Sequence, residues 1–331
     1  MFKKSKSKSK SRSGSVSGRR SRSKSRSKSR SKIILPKEIE DTIINNYLGN
    51  KDKILKIKNE YVGNFIESVK KNKIKTFVKK NGLYLVSLKL KNIKKDDLAV
   101  LGQVHTLNLS SSNITDDDLG ALSNVHTLDL SKTKVKDVSE LDGVHTLNLS
   151  HCRNIENVSP LRGLHTLNLS NTDIDDVSSL GNVRTLNLSH CRNITDVNAL
   201  GNVHTLNLSN TDIDDVNDLG DVHNLNLSNC YNISDVSALG SVHTLNLSYS
   251  SVYDISSLGG VYNLDLSGTN FYIDNLSILR NVHTLNLSNC DSIGGYYDDL
   301  SALGKVHTLN LSNTGVEDIS ALGGVHNLIL N

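Results

Sequence analysis

Cysteine and histidine are the residues of this chain whose types and spacing could support chemistry. Cys152, Cys191, Cys230 and Cys290 are potential nucleophiles or zinc ligands, and His151 and His190 directly precede two of them. An adjacent His-Cys pair has the geometry of neither a catalytic dyad nor a chelate without further partners. The sequence shows no paired acids, phosphate-binding loop or metal-ligand set. It therefore predicts no enzyme, no catalytic residue, no cofactor and no metal.

The element that carries these residues is a short segment, VHTLNLS in one copy, which recurs every 19 or 20 residues in most cases. A fixed period of about 20 residues indicates one supersecondary unit that is stacked many times. The thirteen units begin at Leu85, Val104, Val125, Val144, Leu164, Val183, Val203, Val222, Val242, Val261, Val282, Val306 and Val325.

Within a unit, apolar residues at positions one, four and six alternate with polar residues, which predicts a strand with one buried face. Only twelve residues separate Ser170 from Val183, which leaves no room for a three-turn helix. We therefore expect short 3₁₀ or turn structure on the convex side, begun by Asp or Asn as at Asp176.

The repeat resembles the leucine-rich repeat, LxxLxLxx(N/C/T)xI, and the piece from Asn157 to Leu161 is similar to the compact internalin variety. The resemblance covers Leu83 to Asn331. It implies an α/β repeat solenoid: a horseshoe with a parallel β-sheet on the concave face, a short 3₁₀ or turn convex side and a small α-helical N-terminal cap. Thr or Cys stands where that variety usually has Asn, so we expect the Thr172 and Thr211 hydroxyls to substitute for the hydrogen bonds of the Asn side chain in that slot.

The four cysteines occupy one slot in units two or three apart. They should lie roughly 10 Å or more from one another, which excludes disulfides and metal binding. We interpret them as small buried residues.

Position two of the unit holds histidine in ten of the thirteen units, from His105 to His326. At the edge of the concave face these imidazoles would form a column. The column could be an anion or metal ladder, or a surface residue copied by duplication without a function of its own. Stacked imidazoles should resist protonation, which predicts acid sensitivity.

The concave face is otherwise uniform, with His, Thr, Asn and Ser at recurring positions. Partner recognition usually needs aromatic anchors. These cluster in units nine to eleven, where we expect any partner-binding surface to include Tyr249, Tyr253, Tyr262, Phe271, Tyr272, Tyr296 and Tyr297. The recurring Asn-Leu-Ser, as at Asn108, Asn148 and Asn168, is formally a glycosylation sequon, but glycans at strand spacing would collide. We interpret the sequons as a by-product of the fold.

The chain divides into three parts by charge. Residues 1–32 hold 14 basic and no acidic residues, residues 33–100 hold 15 and 8, and residues 101–331 hold 9 and 26. Residues 1–32 alternate Ser with Lys or Arg, which predicts a disordered tail similar to arginine/serine-rich tails; these contact RNA or other polyanions. The predicted domains are this tail, a helical segment over residues 33–81 and the repeats over residues 82–331.

Residues 33–81 begin with L-P-x-E-I and I-x-x-Y-L, which resembles the start of an F-box. That resemblance implies binding to the F-box-recognising adaptor of a cullin-type ubiquitin ligase. The alternative is a helical cap that covers the open end of the solenoid. Under either interpretation we expect the apolar pattern to continue into further helix, through Ile54, Leu55, Tyr61, Val62, Phe65 and Val69. The surface in question comprises Leu35, Pro36, Ile39, Ile43, Ile44, Tyr47 and Leu48.

The sequence thus predicts a non-enzymatic protein-binding protein, either a ubiquitin-ligase substrate receptor or a plain scaffold. A nucleic-acid-associated protein that acts through residues 1–32 is the alternative, and deletion of that tail would remove RNA binding while sparing the partners of the repeats. The Asn- and Lys-rich repeats are also similar to expanded repeat families of large DNA viruses. With no secretory signal or membrane span recognised, we expect an intracellular protein, cytoplasmic or nuclear. The last strand, from Val325, should self-associate through its open edge, which sedimentation at high concentration tests.

Overall fold

The computed structural model describes residues 54–58, 63–66, 85–88, 98, 101–102, 104–293 and 299–330, with only the backbone described for residues 54–58, 63–66, 85–88 and 273–275. Within these residues the chain forms two β-sheets. The smaller has the order β1-β2-β3, and the larger has twelve parallel strands in sequential order, β4 to β15.

The larger sheet is built from three-residue strands that pair without any shift of register. In each strand the central leucine is turned inward and its two neighbours are half-buried or exposed, as the alternation of the sequence predicts. The strands β4 to β15 are Thr106–Asn108, Thr127–Asp129, Thr146–Asn148, Thr166–Asn168, Thr185–Asn187, Thr205–Asn207, Asn224–Asn226, Thr244–Asn246, Asn263–Asp265, Thr284–Asn286, Thr308–Asn310 and Asn327–Ile329.

The opposite side of each coil is a 3₁₀ helix, which confirms the prediction of short convex structure. In nine coils the carboxylate or amide of an Asp or Asn accepts the backbone N–H two residues later; Asp176 Oδ1, for example, lies 2.9 Å from Ser178 N. The helices are Asp116–Leu122, Ser139–Leu141, Ser159–Gly163, Ser178–Asn182, Asn198–Leu200, Asn217–Leu219, Ser237–Ser241, Leu258–Gly260, Ile273–Asn281, Leu300–Lys305 and Ser320–Leu322.

The convex turns approach one another closely, and glycine makes this possible. A Cβ at Gly181 would lie 2.2 Å from the carbonyl oxygen of Ala199 in the next coil. Real Cβ atoms essentially never approach an oxygen that closely, so packing requires glycine at this position, and Gly201 and Gly240 meet a carbonyl oxygen of the next coil at 2.3 and 2.4 Å in the same way. Between the sheet and these turns, the leucine, isoleucine and valine side chains of every described coil form one continuous core.

A polar ladder ends the strands of the larger sheet. In eleven coils the Asn or Asp at position five accepts the N–H of the serine two residues later, at 2.9 to 3.1 Å. Asn187 Oδ1, for instance, accepts from Ser189 N at 3.0 Å. We call this set the asparagine ladder. The Asn and Ser of each Asn-Leu-Ser are thus joined in a turn, which gives the sequon-like pattern a structural reason.

The N-terminal region differs from the prediction. Ile54 and Leu55 lie in β1 (Ile54–Lys58), and Phe65 lies in β2 (Gly63–Ile66), so the helix predicted through these residues is wrong. The reason is local: in Leu55-Lys56-Ile57-Lys58, apolar and basic residues alternate with period two. The first predicted helix, with Leu35, Pro36, Ile39, Ile43, Ile44, Tyr47 and Leu48, lies outside the described residues, as does the tail.

The first repeat also departs from its successors. Its strand, β3 (Leu85–Leu88), pairs with β2 in the smaller sheet, so the larger sheet contains twelve of the thirteen predicted units. Lys89 occupies the position where the eleven units from Val104 to Val306 have Asn or Asp, and the last unit has Ile329 there. Because the lysine side chain has no hydrogen-bond acceptor, it cannot take the part of the Asn or Asp in the asparagine ladder.

We predict that Asn187→Ala destabilises the repeats by about 1 to 2 kcal/mol, because Ser189 N–H loses its acceptor in a half-buried turn. Urea unfolding followed by circular dichroism measures this loss as a lower midpoint.

Asn187→Asp is the matched control, since Asp129 and Asp265 make the same bond in their own coils. It should lose clearly less stability than the alanine variant. Equal midpoints for the two variants would show that the side-chain acceptor is not what holds the turn.

Candidate functional site

The predicted histidine column exists along the N-terminal edge of the larger sheet. We define the histidine column as the twelve position-two residues of β4 to β15: ten histidines, Arg184 and Tyr262. Ring centroids of successive members lie 4.4 to 5.0 Å apart, in one run from His105 to His165 and a second from His204 to His326 that includes Tyr262. Arg184 stands between the two runs.

The rings of the histidine column share one orientation. In eight coils Nδ1 of the histidine lies 3.1 to 3.3 Å from Oγ1 of the following threonine. Nε2 is on the opposite side of an imidazole from Nδ1, so it faces away from this hydroxyl. Most of these side chains are exposed. The Nε2 atoms therefore recur along an accessible edge, separated by the distance between neighbouring β-strands.

Stacking and burial make some of these rings harder to protonate. Desolvation, followed by the charges of His105 and His145, lowers the pKa of His126 below its ordinary value. Desolvation, followed by Arg184 and His223, lowers the pKa of His204. Partial burial is the larger cause of both shifts, and proximity adds to it because a charged imidazole about 5 Å from a second cation is disfavoured.

The cysteine slot forms a second ladder, in the core, in which Thr and Cys alternate. Thr172 Oγ1 donates to Leu169 O at 2.6 Å, and Thr211 repeats this bond with Leu208 O, as predicted. In the next coil Cys191 Sγ donates to the same Leu169 O at 3.1 Å and lies 3.3 Å from Thr172 Oγ1. The carbonyl oxygen of Leu169 thus accepts hydrogen bonds from side chains of two successive coils.

The four thiols are buried and unpaired. Desolvation raises the pKa of Cys152, Cys191, Cys230 and Cys290, and the threonine hydrogen bond offsets only part of this. A buried, protonated thiol is a poor nucleophile and a poor metal ligand. These cysteines therefore serve the core, in agreement with the sequence interpretation.

The predicted aromatic surface is only partly exposed. Tyr249, Tyr253 and Tyr272 are 48%, 49% and 70% exposed, and Tyr262 belongs to the histidine column with 44%. The prediction that Phe271 lies on this surface is wrong, since its side chain is in the core and only 2% exposed. Its position is that of the buried Ile or Val in other coils. Tyr296 and Tyr297 lie outside the described residues.

The exposed tyrosines do not form one patch. Tyr253 and Tyr272 hold the same place in successive coils, with ring centroids 6.1 Å apart and a hydrogen bond from Tyr272 N to Tyr253 O. Tyr249 stands at position eight, where its ring covers Gly268 so closely that a Cβ there would lie 2.4 Å from a ring carbon. The structure also exposes Tyr231, at 65%, which the sequence interpretation did not include.

Position eight was missed as a distinct class. In eleven coils this residue has φ between 54° and 66°, the left-handed region that favours Gly and Asn. His151 and His190 belong to this class, which explains why they precede cysteine without any chemical relation to it. The signal was present: Asn171, Asn210, Asn229, Asn289 and Asn313 hold the same position, and Gly268 replaces them once.

Carboxylates line a groove of about 300 Å³ on the convex side, near Asp175, Asp176 and Asp196. Hydrogen bonds from Ser178 lower the pKa of Asp176. Within the part of the chain that the structure describes, no three His, Cys, Asp or Glu residues are placed to hold a metal ion. Asp176 and Asp196 instead open the 3₁₀ helices.

Comparison with known proteins supports the fold. Neither a comparison with protein-family models nor one with curated proteins gives a match. Among solved structures, an internalin (inlF) of Listeria monocytogenes is 22% identical, with 82% of this chain and 86% of that chain covered and a TM-score of 0.64. The functional domain of InlJ from the same species, which includes a cysteine ladder, is 21% identical, with 75% and 63% covered and a TM-score of 0.54.

The TLR13 structure with ssRNA13 is 19% identical, with 80% of this chain and 49% of that chain covered and a TM-score of 0.57. This chain spans less than two thirds of the InlJ and TLR13 chains. These similarities confirm the predicted leucine-rich-repeat fold, with its parallel sheet and short 3₁₀ convex side.

We predict that the melting temperature falls between pH 7.5 and pH 5. The folded pKa values of His126 and His204 are lowered, so this stability is complete above the unfolded value of about 6.5 and declines as pH falls below it, because the unfolded chain binds protons first. The lowered pKa values of aspartates such as Asp176 act only below about pH 4, outside this window.

Thermal melts of the intact chain followed by circular dichroism test this. The double variant His126→Asn and His204→Asn should show a smaller pH difference, whereas His151→Asn, outside the histidine column, should not. An unchanged melting temperature of the intact chain across the range would reject the effect of stacking.

Proposed function

We propose that this protein is a non-catalytic binding scaffold whose repeats present side chains to a protein partner. The observation that carries the proposal is the exposed pair Tyr253 and Tyr272, which interrupts an otherwise uniform polar repeat. Other coils hold aspartate at this place, as in Asp175 and Asp214. Two large aromatic side chains in successive coils offer the amphipathic contact area that partner recognition commonly uses.

The rigidity of the solenoid supports this role. Each coil is held by backbone hydrogen bonds to the next and by the asparagine ladder, so an exposed side chain has a defined position before binding. A preformed surface loses less conformational entropy when a partner binds. The fold is also used for binding in the TLR13 structure, whose chain is in complex with ssRNA13.

A location inside the cell is part of the proposal. Its support is the four unpaired thiols, which suit a reducing compartment.

The test is affinity capture from lysate followed by mass spectrometry, with the intact chain and the variant Tyr253→Ser with Tyr272→Ser. We expect a partner to be lost, with a drop in affinity of roughly tenfold or more, since each buried aromatic anchor contributes at least about 1 kcal/mol.

The matched control is Asp175→Ser with Asp214→Ser, which changes the same place in two other coils and should retain the partner. Retention of every partner by the tyrosine variant, at unchanged affinity, would refute a role for this pair.

A second candidate function is that of substrate receptor for a cullin-type ubiquitin ligase. The observation in its favour is the F-box-like order of Leu35, Pro36 and the Ile39 to Leu48 face, followed by leucine-rich repeats. The strands β1 and β2 restrict any F-box-like helices to residues outside 54–58 and 63–66. A role of residues 1–32 in binding RNA, and the similarity to repeat families of large DNA viruses, likewise rest on sequence.

Replacing both Leu35 and Pro36 with alanine distinguishes the receptor function from a purely structural role of this segment as a cap. A receptor should lose the purified adaptor in a pulldown while its melting temperature changes little. A cap should instead lose roughly 2 to 5 kcal/mol of stability if Leu35 is buried. Failure of the intact chain to bind the adaptor, together with a strongly destabilised variant, would contradict the receptor function.

A further inference from the structure

The histidine column offers a binding surface that is independent of the exposed tyrosines. Its rings repeat at 4.4 to 5.0 Å, mostly exposed, with Nδ1 turned to a threonine hydroxyl and Nε2 turned away from it. If the hydroxyl donates to Nδ1, Nε2 of a neutral ring carries hydrogen and is itself a donor. Successive coils would then present a row of N–H donors at nearly constant spacing.

Parallel stacking argues against a metal ladder at this edge. Stacked rings place their Nε2 atoms side by side and pointing in similar directions, whereas metal coordination needs unprotonated nitrogens that converge on one point. Accordingly, the described residues contain no group of three ligands that could hold an ion. An acceptor ligand that runs along the row, and contacts one ring after another, suits the geometry better.

Charge at this edge differs from charge on the rest of the repeats. Residues 101–331 contain 26 acidic and 9 basic residues. The histidine column, by contrast, includes the cation Arg184. The two residues that precede position one of each unit include three cations, Arg162, Arg280 and Lys305, and only two carboxylates, Asp142 and Asp221. On the sheet itself, the carboxylates are Asp129 and Asp265, three residues beyond the column, and Asp129 accepts from Asn108 Nδ2 at 2.9 Å. The four cations named here equal the four carboxylates in number, so this edge is close to neutral on an otherwise acidic solenoid.

Protonation of histidines would make this edge cationic. At His126, which lies between two other rings, and at His204, which lies beside Arg184, desolvation and then repulsion by these neighbours lower the pKa in the free protein. A linear ligand with closely spaced negative groups would supply a counter-charge to each ring in turn. Its binding would then draw protons onto the column, and many weak contacts would act together.

We propose that the histidine column binds a linear polyanion, with Arg184 as its permanent cationic anchor and with proton uptake by the neighbouring histidines. The inference goes beyond the proposed scaffold function and does not depend on it, because it uses none of Tyr231, Tyr249, Tyr253 and Tyr272. The ligand class is defined by closely spaced phosphate-like groups along a chain.

The test measures binding of inorganic polyphosphate to the intact chain at pH 7.5 and pH 6.0, at one ionic strength. Lys and Arg of residues 1–32 stay charged at both values, as do the internal phosphates, so contacts by the tail contribute no pH dependence. We expect the affinity to rise about tenfold or more on acidification, since each proton taken up changes it by up to tenfold per pH unit. Calorimetry in two buffers of different ionisation enthalpy should show proton uptake.

Two sets of variants locate the effect. The quadruple variant of the two histidines on either side of Arg184, His145→Asn, His165→Asn, His204→Asn and His223→Asn, should reduce the pH dependence to about twofold or less, with folding verified by circular dichroism. The matched control, His151→Asn with His190→Asn, changes exposed histidines of position eight and should keep it. Arg184→Gln should lower the affinity at both pH values.

Three results would overturn the proposal. They are an affinity of the intact chain that does not depend on pH, a pH dependence that survives in the quadruple variant, and a control variant that loses it as well. If the Arg184→Gln variant binds polyphosphate as tightly as the intact chain at both pH values, the assignment of Arg184 as the cationic anchor is wrong. None of these results bears on capture of a protein partner by Tyr253 and Tyr272.

Discussion

The structure depends on one constraint: each coil lies one strand spacing from the next, in parallel and without any shift of register. Leu147 faces Leu167 and Leu167 faces Leu186, and the same pairing continues through the sheet. Because the register never shifts, whatever stands at one position of the repeat becomes a continuous row along the solenoid. The properties of this protein are therefore properties of rows more than of single residues.

The rows divide into those that hold the fold and those that face solvent. The asparagine ladder, the aspartates that open the convex helices and the alternating Thr and Cys each satisfy backbone groups that the short strands and tight turns would otherwise leave unpaired. Some polar residues look like functional sites in the sequence, among them the glycosylation-like Asn-Leu-Ser and the cysteines. In the structure they form hydrogen bonds with backbone groups instead. What remains for recognition is the histidine column and the side chains that break the pattern.

The same geometry explains why acid-base properties follow position. A histidine of the column stands beside a second ring at about stacking distance, and the pKa of His126 is lowered by desolvation and by its two neighbours. Aspartates at the start of convex helices accept hydrogen bonds from the serine two residues on, and the pKa of Asp235 and Asp318 falls for that reason. Neither lowered pKa is a property of histidine or aspartate as such. Both shifts arise from the neighbours that the repeat gives to these residues.

Much of this protein was determined by the sequence alone. The period, the alternation of Val, Leu and Leu, and the short distance from Ser170 to Val183 were sufficient for the parallel sheet, the 3₁₀ convex side and the histidine column, because a one-dimensional fold depends mainly on contacts between neighbouring coils. The hydroxyl ladder of Thr172 and Thr211 followed from the same reasoning.

Only the tertiary structure decided which aromatic residues face solvent. Phe271 stands ten residues after Val261, as Ile174 stands ten after Leu164, so its repeat position was visible in the sequence, but the burial of a phenylalanine in that slot was shown only by the structure. The left-handed backbone at His151 and the strand at Ile54 were missed although the sequence carried a local signal for each, namely the asparagines that recur at position eight and the alternation from Leu55 to Lys58. Sequence period determines which residues form a row, whereas the burial of a side chain and the stacking of its ring depend on the adjacent coil, which lies close in space but about 20 residues away along the chain.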